Sequence, residues 1–248
     1  MDTSRSPAIH HVEVEGHRLA YRERGSGPPL VLLHGWPLDS REWQRQLDAL
    51  SDEFRVIAWD APGAGRSSDP PATFRLADWA DCLAAFLQAL DLAPAHVGGL
   101  SFGGGLALEL FRQHPEVVRS LILMSAYAGW GGSLPAEEVH RRVELTRRNT
   151  MLPSKQWALA EADLSDTLAE VDVPTLLLYG ELDVRSPRSV WERIHGGIAD
   201  SRLVVIPHVG HMVDMQVAER CNDEIRAFIR QVEHSRPLGR SPDRHGRE

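Results

Sequence analysis

In His96-Val97-Gly98-Gly99-Leu100-Ser101-Phe102-Gly103-Gly104 a short apolar run stops at a serine and a helical pattern starts directly after it. A chain that turns from strand to helix within two residues must hold the residue at the bend in a sparsely populated backbone conformation, at a cost of about 1–3 kcal/mol. Side chains next to the bend would collide, which explains Gly99 and Gly103. Such a turn lifts the Ser101 hydroxyl clear of a sheet and sets it beside the positive end of the following helix, where an oxyanion is favoured. A glycine-rich helix start with an incidental serine spells the same five letters, so the rest of the chain must supply the chemical partners.

Outward from this point the same alternation repeats. Runs at 30–33, 56–59, 96–100, 120–124, 175–179 and 203–206 are short and mostly apolar, as strands covered on both faces are. Helical spacing fills 41–50, 76–90, 102–111, 190–194 and 217–232, with Asp39 or Ser40 capping the first and Pro115 stopping the third. Residues 11–15 and 17–23, with Gly16 between them, read as a hairpin of half-exposed strands. Strand and helix in alternation imply right-handed crossovers. The predicted fold class is therefore α/β, a mostly parallel eight-stranded sheet with helices on both faces.

One interval breaks the rhythm. Residues 128–172 separate two core strands where a single helix would suffice, so they are predicted to be a short cap inserted into a core formed by 1–127 and 173–234. Within the cap, helices are expected at 136–148 and 155–162, split near Pro153, with Gly129, Gly131 and Gly132 at its entry. Residues 235–248 carry Pro, Gly and charge, and read as a flexible tail.

A serine hydroxyl is a weak nucleophile at neutral pH and needs a base in hydrogen-bond reach. Among 12 histidines, His211 follows the last predicted strand and so shares the carboxyl edge of the sheet with Ser101. His208, beside Pro207 in the same loop, is its rival. The base in turn needs a carboxylate to fix its tautomer, placed between Ser and His along the chain. Asp183 in Gly180-Glu181-Leu182-Asp183 fits, and Glu181 is the alternative. After the strand ending at Met124 the chain offers only Ser125 and Ala126. Two backbone amides would then receive the oxyanion: that of Phe102, and that of Trp36 in the loop His34-Gly35-Trp36-Pro37.

The composition limits the alternatives. A formal net charge of -8 offers no basic surface to a polyanion, which argues against nucleic acid as a partner. No run approaches the length of a membrane span and no secretory leader is recognisable, so a cytoplasmic protein without membrane association is expected. Cys82 and Cys221 have neither metal-ligand nor redox spacing and read as core residues; no metal site is expected.

With Ser101, Asp183, His211 and the His34-Gly35 loop in order, the chain from about Val12 to Val232 resembles the α/β-hydrolase superfamily. Asp60-Ala61-Pro62-Gly63-Ala64-Gly65-Arg66-Ser67 is similar to that family's D-x-x-G-x-G-x-S turn, a structural motif, and residues 180–187 are similar to its G-x-x-D-x-x-x-P. Within the superfamily the chain is most similar to small serine esterases and lactonases of the 3-oxoadipate enol-lactonase type. The resemblance implies a nucleophile elbow, a Ser-His-Asp catalytic triad, and no metal or organic cofactor. Ser101 stands where epoxide hydrolases and haloalkane dehalogenases carry aspartate. Gln216 and Ala218 depart from the Glu and Pro of many relatives.

The expected activity is cleavage of a small ester or lactone through an acyl-enzyme, by a monomer or homodimer. His34, Trp130 and Trp157 are candidate substrate contacts, whereas Arg141, Arg142, Arg147 and Arg148 read as a solvated helix face. A perhydrolase or acyltransferase on the same triad is an alternative. So is a ligand-sensing receptor built on this fold.

Overall fold

The computed structural model describes residues 7–129, 134–148 and 162–235, with side chains given for all of these except 145–148. A hairpin begins it: β1 (Ile9–Val14) and β2 (His17–Arg24) run antiparallel, with Glu15 and Gly16 at positive φ in the turn. There follow β3 (Pro29–Leu33), a 3-10 turn (Ser40–Trp43), α1 (Gln44–Leu50) and β4 (Arg55–Trp59). Next come α2 (Leu76–Ala89), β5 (Ala95–Leu100), α3 (Phe102–Gln113) and β6 (Val118–Met124). After α4 (Ala136–Arg148) the chain forms β7 (Thr175–Gly180), α5 (Arg188–Gly197) and β8 (Ser201–Ile206), then the short α6 (Val213–Gln216) and the long α7 (Ala218–His234).

Together the strands make one eight-stranded sheet in the order β1-β2-β4-β3-β5-β6-β7-β8, antiparallel in its first two pairings and parallel thereafter. The fold class is as expected. Why the strands lack polar alternation is visible in β3: Val31 and Leu33 pack into the layer shared with α2, α3 and α5, while Leu30 and Leu32 face α1 and α7. Both faces are dry, so every position must be apolar. The hairpin corrects its expectation in part. β1 is half-exposed, but residues 19–21 of β2 are buried, because β2 is an interior strand between β1 and β4.

Beyond shifts of a few residues at element ends, two features differ from the sequence reading. The helix expected at 41–50 opens with a 3-10 turn whose cap is Asp39, its carboxylate accepting the Arg41 N–H at 2.9 Å, and α6 was not anticipated. Of the expected cap, α4 is present and the excursion is pinned at its base by the Leu164 N–H donating to the Ala128 carbonyl at 2.7 Å. The helix expected at 155–162 up to residue 161, Gly131, Gly132, Pro153 and the tail beyond Ser235 lie outside the described residues. Among the described residues no helix is long and apolar enough to cross a membrane.

Candidate active site

Ser101 sits between β5 and α3 with φ 52° and ψ -108°, in the positive-φ region that a side-chain-bearing residue adopts only when its surroundings enforce it. The enforcement is packing. A Cβ on Gly99 would stand 2.2 Å from the carbonyl carbon of Gly103, and one on Gly103 would stand 2.1 Å from the Leu33 carbonyl oxygen. The bend is tied down by the Ser101 N–H donating to Met124 O at 2.9 Å, and the Ser101 carbonyl accepts from Gly104 and Gly105, both at 3.1 Å. The first amides of α3 have no carbonyl within the helix to bond, and that of Phe102 is the one adjoining the serine.

Asp183 follows β7 and His211 follows β8, so both stand on the carboxyl edge that carries Ser101. Their loops are stitched together by the Leu182 N–H on Val209 O at 2.8 Å and the Glu181 N–H on Ile206 O at 2.9 Å. His211 Nδ1 lies 2.8 Å and 3.0 Å from the two Asp183 carboxylate oxygens. Burial opposes the charge of Asp183, yet its pKa is held below the ordinary carboxylate value. The opposing causes are the hydrogen bond and charge of His211 and the N–H groups of Ser186 and Arg185 at 3.0 and 2.8 Å. With Nδ1–H committed to the carboxylate, Nε2 is the nitrogen left to accept a proton. Nε2 is buried and takes no hydrogen-bond partner among the described residues. The structure thus joins Asp183 to His211 directly, while the Ser101 hydroxyl is on the same edge without a bond to the ring; such contacts are often long in unliganded sites.

The rivals are placed elsewhere. His208 is exposed, and Glu181, also exposed, is occupied in accepting the His208 N–H at 3.1 Å. Asp60 accepts the N–H of Ser40 at 2.7 Å and of Arg66 at 2.9 Å, a turn-holding role.

The loop after β3 packs against the start of α3 through Gly103, which brings Trp36 and Phe102 to neighbouring elements. His34 in this loop departs from its expectation as a substrate contact. It is 1% exposed; Nε2 accepts the Ala61 N–H at 3.1 Å and Nδ1 lies 2.9 Å from Gly35 O, so the ring holds backbone together. Trp130 and Trp157 lie outside the described residues.

Three participants escaped the sequence reading. Arg142 of α4 is not part of a solvated face: it pairs with Glu138 and donates to the carbonyls of Arg185 at 2.6 Å and Val184 at 3.0 Å, bracing the loop that carries Asp183. Ser186 anchors the same loop by donating to Ser125 O at 2.8 Å. Glu42 accepts the Gly35 N–H at 2.8 Å. Spacing could not reveal them: Arg142 and Ser186 act on segments 43 and 61 positions away, and Glu42 reaches back to Gly35 across an irregular loop without a regular period. Among the described residues no group of three or more His, Cys, Asp or Glu forms a metal-binding cluster.

Residues 28–150 match a model of the alpha/beta hydrolase fold. The dihydrolipoyllysine-residue acetyltransferase component of the acetoin cleaving system of Pseudomonas putida is 31% identical over 92% of this chain and 71% of its own length. The AB hydrolase superfamily protein YisY of Bacillus subtilis is 28% identical over 88% of this chain and 98% of its length. Among solved structures, a thermophilic esterase from Thermogutta terrifontis superposes with a TM-score of 0.76 at 29% identity, over 91% of this chain and 99% of that one.

Proposed function

This chain belongs to the alpha/beta hydrolase fold family, and from that premise we propose that it is a serine hydrolase cleaving carboxylic esters or lactones through an acyl-enzyme. Ser101 Oγ attacks the acyl carbon as His211 Nε2 takes its proton; the imidazolium returns that proton to the departing alkoxide. Water then repeats the sequence on the acyl-enzyme, releasing acid and restoring the serine. Asp183 keeps the proton of His211 on Nδ1 and stabilises the imidazolium. The amides of Trp36 and Phe102 receive the oxyanion, each worth roughly 2.7–4 kcal/mol in a preorganised site.

The single observation that carries this reading is the Asp183–His211 pair at 2.8 Å on the edge where Ser101 is held at φ 52°. A lactone is an internal ester, so both substrates ask for the same machinery. Ser101→Ala is expected to abolish p-nitrophenyl acetate hydrolysis and labelling by a fluorophosphonate; unchanged hydrolysis in this variant would falsify the assignment. A panel of acyl chain lengths and lactone ring sizes then identifies the preferred substrate.

A second reading has one observation in its favour: the relative from Pseudomonas putida is named an acetyltransferase component. The acyl-enzyme would then pass its acyl group to an acceptor other than water. Product analysis with alcohols or peroxide present in competition separates the two.

A further inference from the structure

Behind the oxyanion loop lies a buried polar cluster that the proposed chemistry does not use. It is built from Glu42 in the 3-10 turn before α1, Gln46 on α1, Asp214 on α6 and Asn222 on α7, all of them buried. Glu42 Oε2 accepts the Gly35 N–H at 2.8 Å, next to Trp36. One helical turn later, Gln46 Nε2 donates to Asp214 O at 3.1 Å and Arg45 donates to Met215 O at 2.6 Å, in the helix that follows His211. Asn222 Nδ2 reaches Arg45 O at 3.5 Å from the other side. A single segment, residues 40–50, is thereby bonded at one end to the loop carrying the Trp36 amide and at the other to the segment carrying His211.

The cluster has an unusual deficit. Glu42 Oε1, Gln46 Oε1, both carboxylate oxygens of Asp214 and Asn222 Oδ1 are buried acceptors to which no donor is bonded among the described residues. Burying so many acceptors without a protein donor is costly, and a proton on a carboxyl group is a direct remedy, since it removes a charge and adds a donor.

We propose that Glu42 is a positioning residue for the oxyanion hole, held as a neutral acid, and that it and Gln46 brace the Gly35–Trp36 turn against the His211 segment. The inference rests on the serine hydrolase reading given above. As a neutral acid Glu42 keeps Oε2 as carbonyl acceptor for Gly35 and turns Oε1 into a hydroxyl donor toward the acceptor-rich interior. The surroundings favour that form. Burial pushes Glu42 up to about 9, reinforced by the charge of Asp214 and opposed by the Gly35 N–H. Burial likewise raises Asp214, to about 7; its own N–H and that of Met215 lie close enough to offset part of this, but neither is aligned to make a hydrogen bond. The titratable and charged groups facing the pair are Asp39 beside the turn, with His34 and Arg41 around it, Arg45 on α1, and Cys221 on α7, with the Glu224–Arg220 ion pair behind it. Arg45 is the cation that acts on Asp214, and its side chain reaches outward to Met215 O, while Arg41 and Arg220 are engaged with Asp39 and Glu224. Ionising Glu42 beside Asp214 would place two negative charges behind amides whose task is to meet a third.

The test compares Glu42→Ala and Glu42→Gln with the parent protein and with Ser101→Ala, using p-nitrophenyl ester hydrolysis between pH 6 and 10. Glu42→Ala removes the acceptor for Gly35 and is expected to lower kcat about 10- to 100-fold, by misplacing a donor, while KM changes less than about twofold. Glu42→Gln retains the acceptor and supplies a fixed N–H donor, so it should restore most of kcat, and it should lack the alkaline fall expected of the parent above about pH 8–9. A folded Glu42→Ala with parental kcat overturns the proposal. Should that variant fail to fold, superimposable alkaline limbs for the parent and Glu42→Gln overturn it instead. Activity that persists in Ser101→Ala strikes at the serine hydrolase reading and leaves a different signature from either result.

Discussion

Asp183 is 4% exposed and yet its pKa is held low, because the hydration its carboxylate loses on burial is more than offset by His211 and two backbone N–H groups. Replacing it with Asn preserves the shape but lets the amide present N–H to Nδ1, which stabilises the wrong tautomer of His211. Scaled from the serine-protease case, Asp183→Asn should lower kcat about 10⁴-fold with the fold intact, measured by ester hydrolysis alongside circular dichroism. Parental turnover in that variant would remove Asp183 from the mechanism. Gly99 makes the complementary point, as it is needed for its missing Cβ. Gly99→Ala forces an atom to within 2.2 Å of the Gly103 carbonyl carbon, where no flexible side chain can give way. A loss of about 1–3 kcal/mol is expected, seen as a melting temperature lower by roughly 2–4 °C per kcal/mol. Both residues were singled out in the sequence by their place near the end of an apolar run, Gly99 one residue before the end of 96–100 and Asp183 four residues beyond 175–179. Glu42 was not. Its significance depends on a helix packing against a segment some 170 positions away, as in the Gln46–Asp214 bond, and local pattern carries no trace of that.

Elements were easier to read than the contacts between them. Runs such as 96–100 and 175–179 had to be strands because both sheet faces are covered, and β5 and β7 are buried at every position. The 3-10 start before α1 and the four-residue α6 were missed, for they have too few residues to show a helical period. The charge pattern of α4 misled in a different way. Four arginines in its sequence read as a solvated face, but Arg142 bends back to the loop of Asp183 and is only 15% exposed. The carbonyls of Val184 and Arg185 belong to exposed residues, so each of these bonds is screened by water and contributes about 1 kcal/mol or less, yet with both lost Arg142→Ala should loosen α4 from that loop. We expect a lower melting temperature and faster limited proteolysis within α4, with the rest of the chain cut no sooner. A proteolytic pattern identical to the parent would show that α4 is held by other contacts.

At the scale of the molecule, pH acts on two opposed sets of carboxyl groups, and their signs can be worked out separately. Asp183 has a folded pKa below its unfolded value of about 3.9, so its contribution is present at neutral pH and disappears as pH falls through the folded value. Glu42 is the reverse. Its unfolded value is about 4.3 and its folded value is raised, so between the two the unfolded chain has lost a proton that the native protein keeps. Stability therefore declines as pH climbs from about 4 toward 9, then levels once the native state ionises as well. Asp214 adds to the same decline over the lower part of that window, with a folded value raised to about 7. Gln at position 42 has no proton to retain, so its variant lacks this component. The melting temperature of Glu42→Gln minus that of the parent should accordingly be small near pH 5 and grow steadily to pH 9, read by differential scanning fluorimetry in buffers of matched ionic strength. Each kcal/mol removed from the decline corresponds to about 2–4 °C for a chain of this size. A difference that stays flat across that range would mean that Glu42 is ionised in the folded protein throughout, and the proton would have to be sought on Asp214 instead.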